Sequence, residues 1–169
     1  MEKMKLNSIK VPWKISVSDE IALFQCEDDR LEILCIADLF DSSKLDKLGI
    51  GSDFFDYVSI VQLRLIFETV LHFEYSRPQQ KVFGLDSQKY DININPSTYD
   101  RSAFFQRWTD TQICPDPKMY QVENSDIKKA LNIENSSILH WTHWILTSHD
   151  EIINIVSKNF TWEIVAFLQ

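Results

Sequence analysis

Four histidines, three cysteines and a set of carboxylates are the residues of this chain able to move protons, hold a metal or attack an electrophile. His140 and His143 have a spacing that chelates an ion when both sit on one helix face. Here they lie in an apolar run, Ile138 to Thr147, that reads as a strand. Residues three apart on a strand face opposite sides, so the pair cannot share one ion. The expectation is two histidines set among Trp141 and Trp144, one or both half-buried and hydrogen-bonded, with no metal and no cofactor. His149-Asp150-Glu151 offers a base and a carboxylate to orient it, but a triad also needs a nucleophile placed by the fold. Turn-favouring polar residues at a hairpin tip are the simpler account. Cys114 has Asp110 and Asp116 close by in sequence, and negative charge raises a thiol's pKa, which makes it inert. Pro115-Asp116 followed by Asp126-Ile127-Lys128 echoes a divalent-ion nuclease site. Asp126, however, follows a helix cap and is explained by the helix dipole. Cys26, Cys35 and Cys114 are odd in number and widely spaced, which suits neither a disulfide framework nor a zinc knuckle. Reduced, buried thiols of a cytoplasmic protein are expected. The two glycosylation-type triplets, at Asn135 and Asn159, are read as chance matches.

The elements that must position these residues are mostly strands. Ile9, Val11, Trp13, Ile15 and Val17 alternate with Lys10, Pro12, Lys14 and Ser16, a half-buried strand over 9–17. Pro12 cannot donate to a ladder and places that strand at a sheet edge. Apolar runs 21–26 and 31–37 flank Glu27-Asp28-Asp29-Arg30 and predict a hairpin with an acidic tip. Ser42-Ser43 can cap a short helix through Leu48. In 57–75 the polar residues Arg64, Glu68, His72 and Glu74 fall in one alternate set, which favours strand over helix. One strand of that length spans ~60 Å, so a bend or bulge near Glu68-Thr69 should divide it into two segments. Val82-Phe83 and 92–94 are short strand candidates. Residues 101–110 suit a short helix or else a strand, CPDP at 114–117 a loop, and Ser125 caps a helix over 126–132. Runs 138–147, 151–157 and 160–165 predict a three-strand meander. The sum is a single domain, 1–169, of the α+β class and β-rich. It should have mostly antiparallel meander sheets of seven to nine strands and one to three short helices.

Of 169 residues, 44% are hydrophobic and 25% charged, an ordinary globular balance. The chain has only three glycines, Gly49, Gly51 and Gly84, and so no phosphate loop or dinucleotide fingerprint. Its net charge of −8 and pI near 4.9 argue against nucleic acid, where affinity comes from Lys and Arg displacing counterions. No apolar run approaches the ~20 residues of a membrane helix, and the N-terminus lacks a signal-peptide core. The charge is localised. Residues 19–56 hold eleven acids and three bases and so carry −8, while the remainder holds 14 of each. Such a surface keeps a protein soluble, and it also speeds encounter with a basic partner.

Trp108, the loop Cys114 to Pro117, Tyr120 with Val122, Ser125, and the His149-Asp150 turn carry a resemblance covering about residues 104–165. In these the chain resembles small acidic bacterial proteins of the polymorphic-toxin immunity type. The resemblance implies a non-enzymatic protein that binds one basic toxin domain and occludes its active site. The expected partner-binding residues are Glu27, Asp28, Asp29 and Glu32 at the hairpin, with Trp141 or Trp144 as an aromatic anchor. The alternative is an uncharacterised enzyme or small-ligand binder with a pocket near His149 and Asp150.

Overall fold

Apolar and polar residues alternate along most of this chain, and the backbone takes up that period as a single, strongly bent sheet. A computed structural model gives the fold. It describes residues 2–16, 21, 23–27, 29–41, 44, 58–77, 85, 89–92, 101–134, 140–148 and 151–168, with backbone alone for 23–27, 92 and 101. Among these the strands are β1 (Met4–Ser8), β2 (Trp13–Ile15), β3 (Leu23–Glu27), β4 (Arg30–Phe40), β5 (Val58–Ser76), β6 (Tyr90–Ile92), β7 (Met119–Glu123), β8 (Thr142–Thr147) and β9 (Ile152–Phe167). The helices are α1 (Arg101–Thr111) and α2 (Asp126–Ala130). The β-rich α+β class is as expected. The candidate helix after Ser42-Ser43 and the candidate strand at Val82-Phe83 lie outside the described residues.

Strand order is β2-β4-β5-β9-β8-β7-β1-β6, with β3 also on β4. Every pairing is antiparallel except β1 with β6. This corrects the meander: the two central strands, β5 and β9, are far apart in sequence. The expected strands 151–157 and 160–165 are one strand, β9. Its first half pairs with β8, and its whole length runs along β5.

Both long strands serve two halves of the sheet. β4 pairs with β5 only from Val58 to Phe67, and β8 pairs with β9 only from Ile152 to Ser157. Between these zones the β5–β9 register shifts at Val70/His72, next to Thr69 with φ of 54°. The bulge near Glu68-Thr69 is therefore present, yet it turns one strand from one half to the other instead of ending it. A 19-residue strand fits a small domain because it changes direction at this corner.

The N-terminal segment makes the opposite corner. The expected strand over 9–17 is broken: β2 ends the sheet path on one side and β1 lies next to the other end, beside β6, the two joined through Ile9–Pro12. Pro12 lacks an N–H and sits at this break. Ile9 N donates to Met119 O (3.4 Å), Cys114 N to Val11 O (2.8 Å) and Ile15 N to Pro117 O (3.1 Å). The chain thus straps the β2 end of the sheet to the segment that leads into β7.

The interior is filled by the inward residues of both halves. Val11, Trp13 and Ile15 meet Leu31, Ile33 and Cys35, Leu63, Leu65 and Phe67, and Met119, Leu146, Ile153 and Ile155. A second cluster, with Met4, Leu6, Tyr120, Val122 and Ile145, lies on the other face of β1, β7 and β8. α1 presents Phe104 and Trp108 to Phe40 and Val58, the third cluster. Trp108 Nε1 donates to Pro12 O (3.2 Å), tying α1 to the strap.

Candidate functional site

Trp144 lies in β8, and Trp141 lies just before that strand begins. Trp141 is half-buried under the Lys158 ammonium, 5.3 Å from its ring. Trp144 is on the inward face of β8 beside Phe160, with ring centroids 5.4 Å apart. Its indole N–H donates to Ser157 Oγ (3.0 Å), which fixes the ring. Phe160 continues to Phe67 (5.2 Å), and Trp162 meets the fully buried Trp13 edge-on at 6.0 Å. Trp162 is half-buried and packs against the main core cluster.

These aromatics are accessible because β9 outruns β8. Beyond Ser157, no strand among the described residues pairs with the β9 edge that faces away from β5. There an open groove of about 630 Å³ is lined by Ser8, Ile9, Lys10 and Val11 of the strap, Gln121, Trp144, Phe160, Thr161 and Trp162. Sequence reasoning points to Trp144 but not to its companions. Alternation assigns Phe160 and Trp162 to the core, and the strap's approach depends on long-range contacts that periodicity does not encode.

The acidic hairpin forms as expected, with Glu27 opposite Arg30. Asp29 is exposed, and its carbonyl accepts from Val70 N. Glu32 is not an open charge: Arg30 (2.6 Å) and Arg64 (3.6 Å) pair with it, and Arg64 also binds Glu163 (2.7 Å). The Glu27 side chain, Asp28, His149 and Asp150 lie outside the described residues.

His143 is buried in β8, whereas His140 is exposed and precedes that strand, which begins at Thr142, short of the His140 that the expected 138–147 run includes. Ser125 Oγ lies 2.8 Å from His143 Nδ1, and His143 Nε2 lies 3.1 Å from Asn154 Oδ1. Asn154 Nδ2 reaches Glu74 Oε2 at 3.4 Å. Ser, His and Asn in line resemble a nucleophile, a base and its orienter. Ser125 is committed elsewhere: it caps α2 by accepting from Lys128 N (3.0 Å), is 2% exposed, and does not line the groove. One set of protons satisfies every member: Lys128 N–H to Ser125, Ser125 O–H to Nδ1, and Nε2–H to Asn154. Burial holds His143 down to about 4 against the Asn154 bond, with His72, Lys128 and Lys89 lowering it further.

Two further carboxylates are anchored internally. Glu151 is 3% exposed and accepts from Ile21 N (2.9 Å), Tyr75 Oη (2.7 Å), Arg77 (3.0 Å) and Ser148 Oγ (3.0 Å). Burial works against its charge, but these donors outweigh it and its pKa is lowered. In the CPDP loop, Asp116 accepts from Tyr120 Oη (2.6 Å) and pairs with Lys118 (2.7 Å). Burial pushes the Cys35 thiol up to about 12 and raises Cys114 as well. Neither thiol is therefore a ready nucleophile.

Among the described residues no group of three or more His, Cys, Asp or Glu is placed to hold a metal ion, and no helix is long and apolar enough to cross a membrane. Compared with family models, curated proteins and solved structures, the chain matches none.

Proposed function

We propose that this chain is a non-enzymatic binding protein of the immunity type, which occludes a basic toxin domain in the cytoplasm. The observation that carries the reading is the charge: −8 lies within residues 19–56 of an otherwise balanced chain. A concentrated negative surface accelerates association with a basic partner and suppresses unsuitable ones. Supporting it, Ser125, His143 and Glu151, whose types suit catalysis, each hold the fold together through several internal hydrogen bonds. The acidic contribution centres on Asp28 and Asp29 at the hairpin tip, since Glu32 is neutralised by Arg30 and Arg64.

The test uses the product of the adjacent gene, where an immunity protein's toxin is encoded. Mixing that product's basic domain with increasing amounts of this chain should give a 1:1 complex, with toxin activity falling linearly to zero at one equivalent. Activity unchanged at a tenfold excess would refute the reading. A second reading, a small-ligand binder, draws on the groove at Trp144. The groove lining includes neither Ser148 nor Glu151, while His149 and Asp150, where the sequence places the alternative pocket, lie outside the described residues.

A further inference from the structure

The groove has the form of a slot between two strand edges. One wall is Phe160–Trp162 of β9, whose ladder with β5 uses one edge. The other wall is Ser8–Val11, whose bonds through Ile9 N and Val11 O run to Met119 and Cys114. Among the described residues neither wall has a backbone partner across the slot. The backbone N–H and C=O groups along an unpaired edge are a template for an added strand.

The side chains around the slot define what would enter. Trp144, Phe160 and Trp162 are all half-buried and offer an aromatic seat for one large apolar side chain. The Trp144 ring is already held by Ser157, so little of its freedom is lost on binding. Lys10 is exposed and is the one charged residue in the lining among the described residues, which favours a carboxylate over an ammonium beside the seat. Ser8 Oγ, also in the lining, is buried and lacks a hydrogen-bond partner. A buried hydroxyl without a partner is destabilising until something satisfies it. The groove is more open than enclosed, which suits an extended chain better than an enclosed small molecule.

We propose that this slot receives an extended peptide segment of a protein partner, which pairs with β9. It would seat an aromatic or branched apolar side chain on Trp144, Phe160 and Trp162 and place an acidic residue at Lys10. This deepens the reading of the chain as a binding protein but does not use the acidic hairpin, so the two stand or fall separately.

The test is NMR titration of the whole chain with three capped peptides. The first is Thr-Val-Trp-Val-Glu-Val. In the second Lys replaces the Glu, and in the third Pro replaces both Val residues flanking the Trp and so blocks strand pairing. The Glu peptide should give saturable shifts confined to 8–11, 121, 144 and 158–164, and should slow hydrogen exchange of β9 amides. It should bind roughly two- to five-fold tighter than the Lys peptide. Lys10→Glu, an exposed change that leaves the core intact, should reverse that order. Trp144→Leu should weaken both peptides, with its unchanged spectrum elsewhere showing a folded protein. Shifts spread over other surfaces, or equal binding of the Pro peptide, would overturn the proposal. Equal binding of free indole-3-acetate, with no β9 protection, would assign the groove to small ligands instead. Loss of toxin binding in Asp28→Lys/Asp29→Lys with peptide binding retained would separate failure of the charge-based reading from failure of this one.

Discussion

His143 and Glu151 each occupy a site where the folded chain prefers one protonation state, and each makes stability depend on pH. The His143 pKa is lowered by burial to about 4. Between that value and the unfolded ~6.5 the unfolded chain binds the extra proton, so stability rises with pH across the window and is lost as pH falls through it. The effect is on the order of 3 kcal/mol at most. His143→Gln cannot titrate, and its urea midpoint should vary less between pH 6.5 and 4 than that of the wild type, though lower at pH 7. Equal pH dependence would show that His143 does not stay neutral in the fold. Glu151, with its pKa lowered, contributes stability above its unfolded value that is lost as pH drops through the folded one. Glu151→Ala leaves the Ile21 N–H without its acceptor and removes the bonds from Tyr75, Arg77 and Ser148, and should cost about 2 kcal/mol at pH 7, read by chemical denaturation. Part of this is legible in the amino-acid order. Alternation puts His143 on a strand face and predicts a hydrogen-bonded ring. It does not point to Ser125 and Asn154 as the partners, since neither lies near His143 in sequence or shares its strand.

Thr69 sits at the bulge that turns β5 between the two halves, and it does so at φ of 54°. A β-branched residue is strained there, by about 1–2 kcal/mol. Glycine removes the strain but loses about 0.5–1 kcal/mol to backbone entropy. Thr69→Gly should therefore be neutral to about 1 kcal/mol stabilising, whereas Leu65→Gly or a similar change in the regular ladder should destabilise strongly. Equilibrium unfolding of the two variants checks the contrast. Strand identity is largely legible from alternation. Arg64, Glu68, His72 and Glu74 mark β5 as a strand, and Glu27 to Arg30 mark the hairpin. The partners of each strand are not legible, because β5 with β9 and β1 with β7 are pairings between distant segments. A run such as 152–167 crosses its own bend without a turn signal, and so reads as two strands.

At the scale of the whole molecule, a strap, two bent strands and a localised charge define this chain. The Ile9–Pro12 strap ties the β2 end of the sheet to the segment that leads into β7 and leaves a groove beside the β9 edge, while the acidic stretch 19–56 begins just beyond β2. The strap explains why Trp13 is fully buried although β2 has only three residues. Trp162 lies in the part of β9 that has no second strand partner among the described residues, and it stays half-buried at the groove. The order of acids and bases along the chain is enough to locate the charge, whereas the groove depends on which distant strands meet. The central proposal, binding of a basic partner steered by that charge, is tested most directly by stopped-flow association with the toxin domain that this reading expects the adjacent gene to encode. The rate constant should fall steeply as salt rises from about 20 to about 500 mM, since the screening length shrinks from roughly 20 Å to a few ångströms. Asp28→Lys/Asp29→Lys should be slower at low salt and flatter across the series. An association rate that is indifferent to salt and to both substitutions would contradict charge-steered binding.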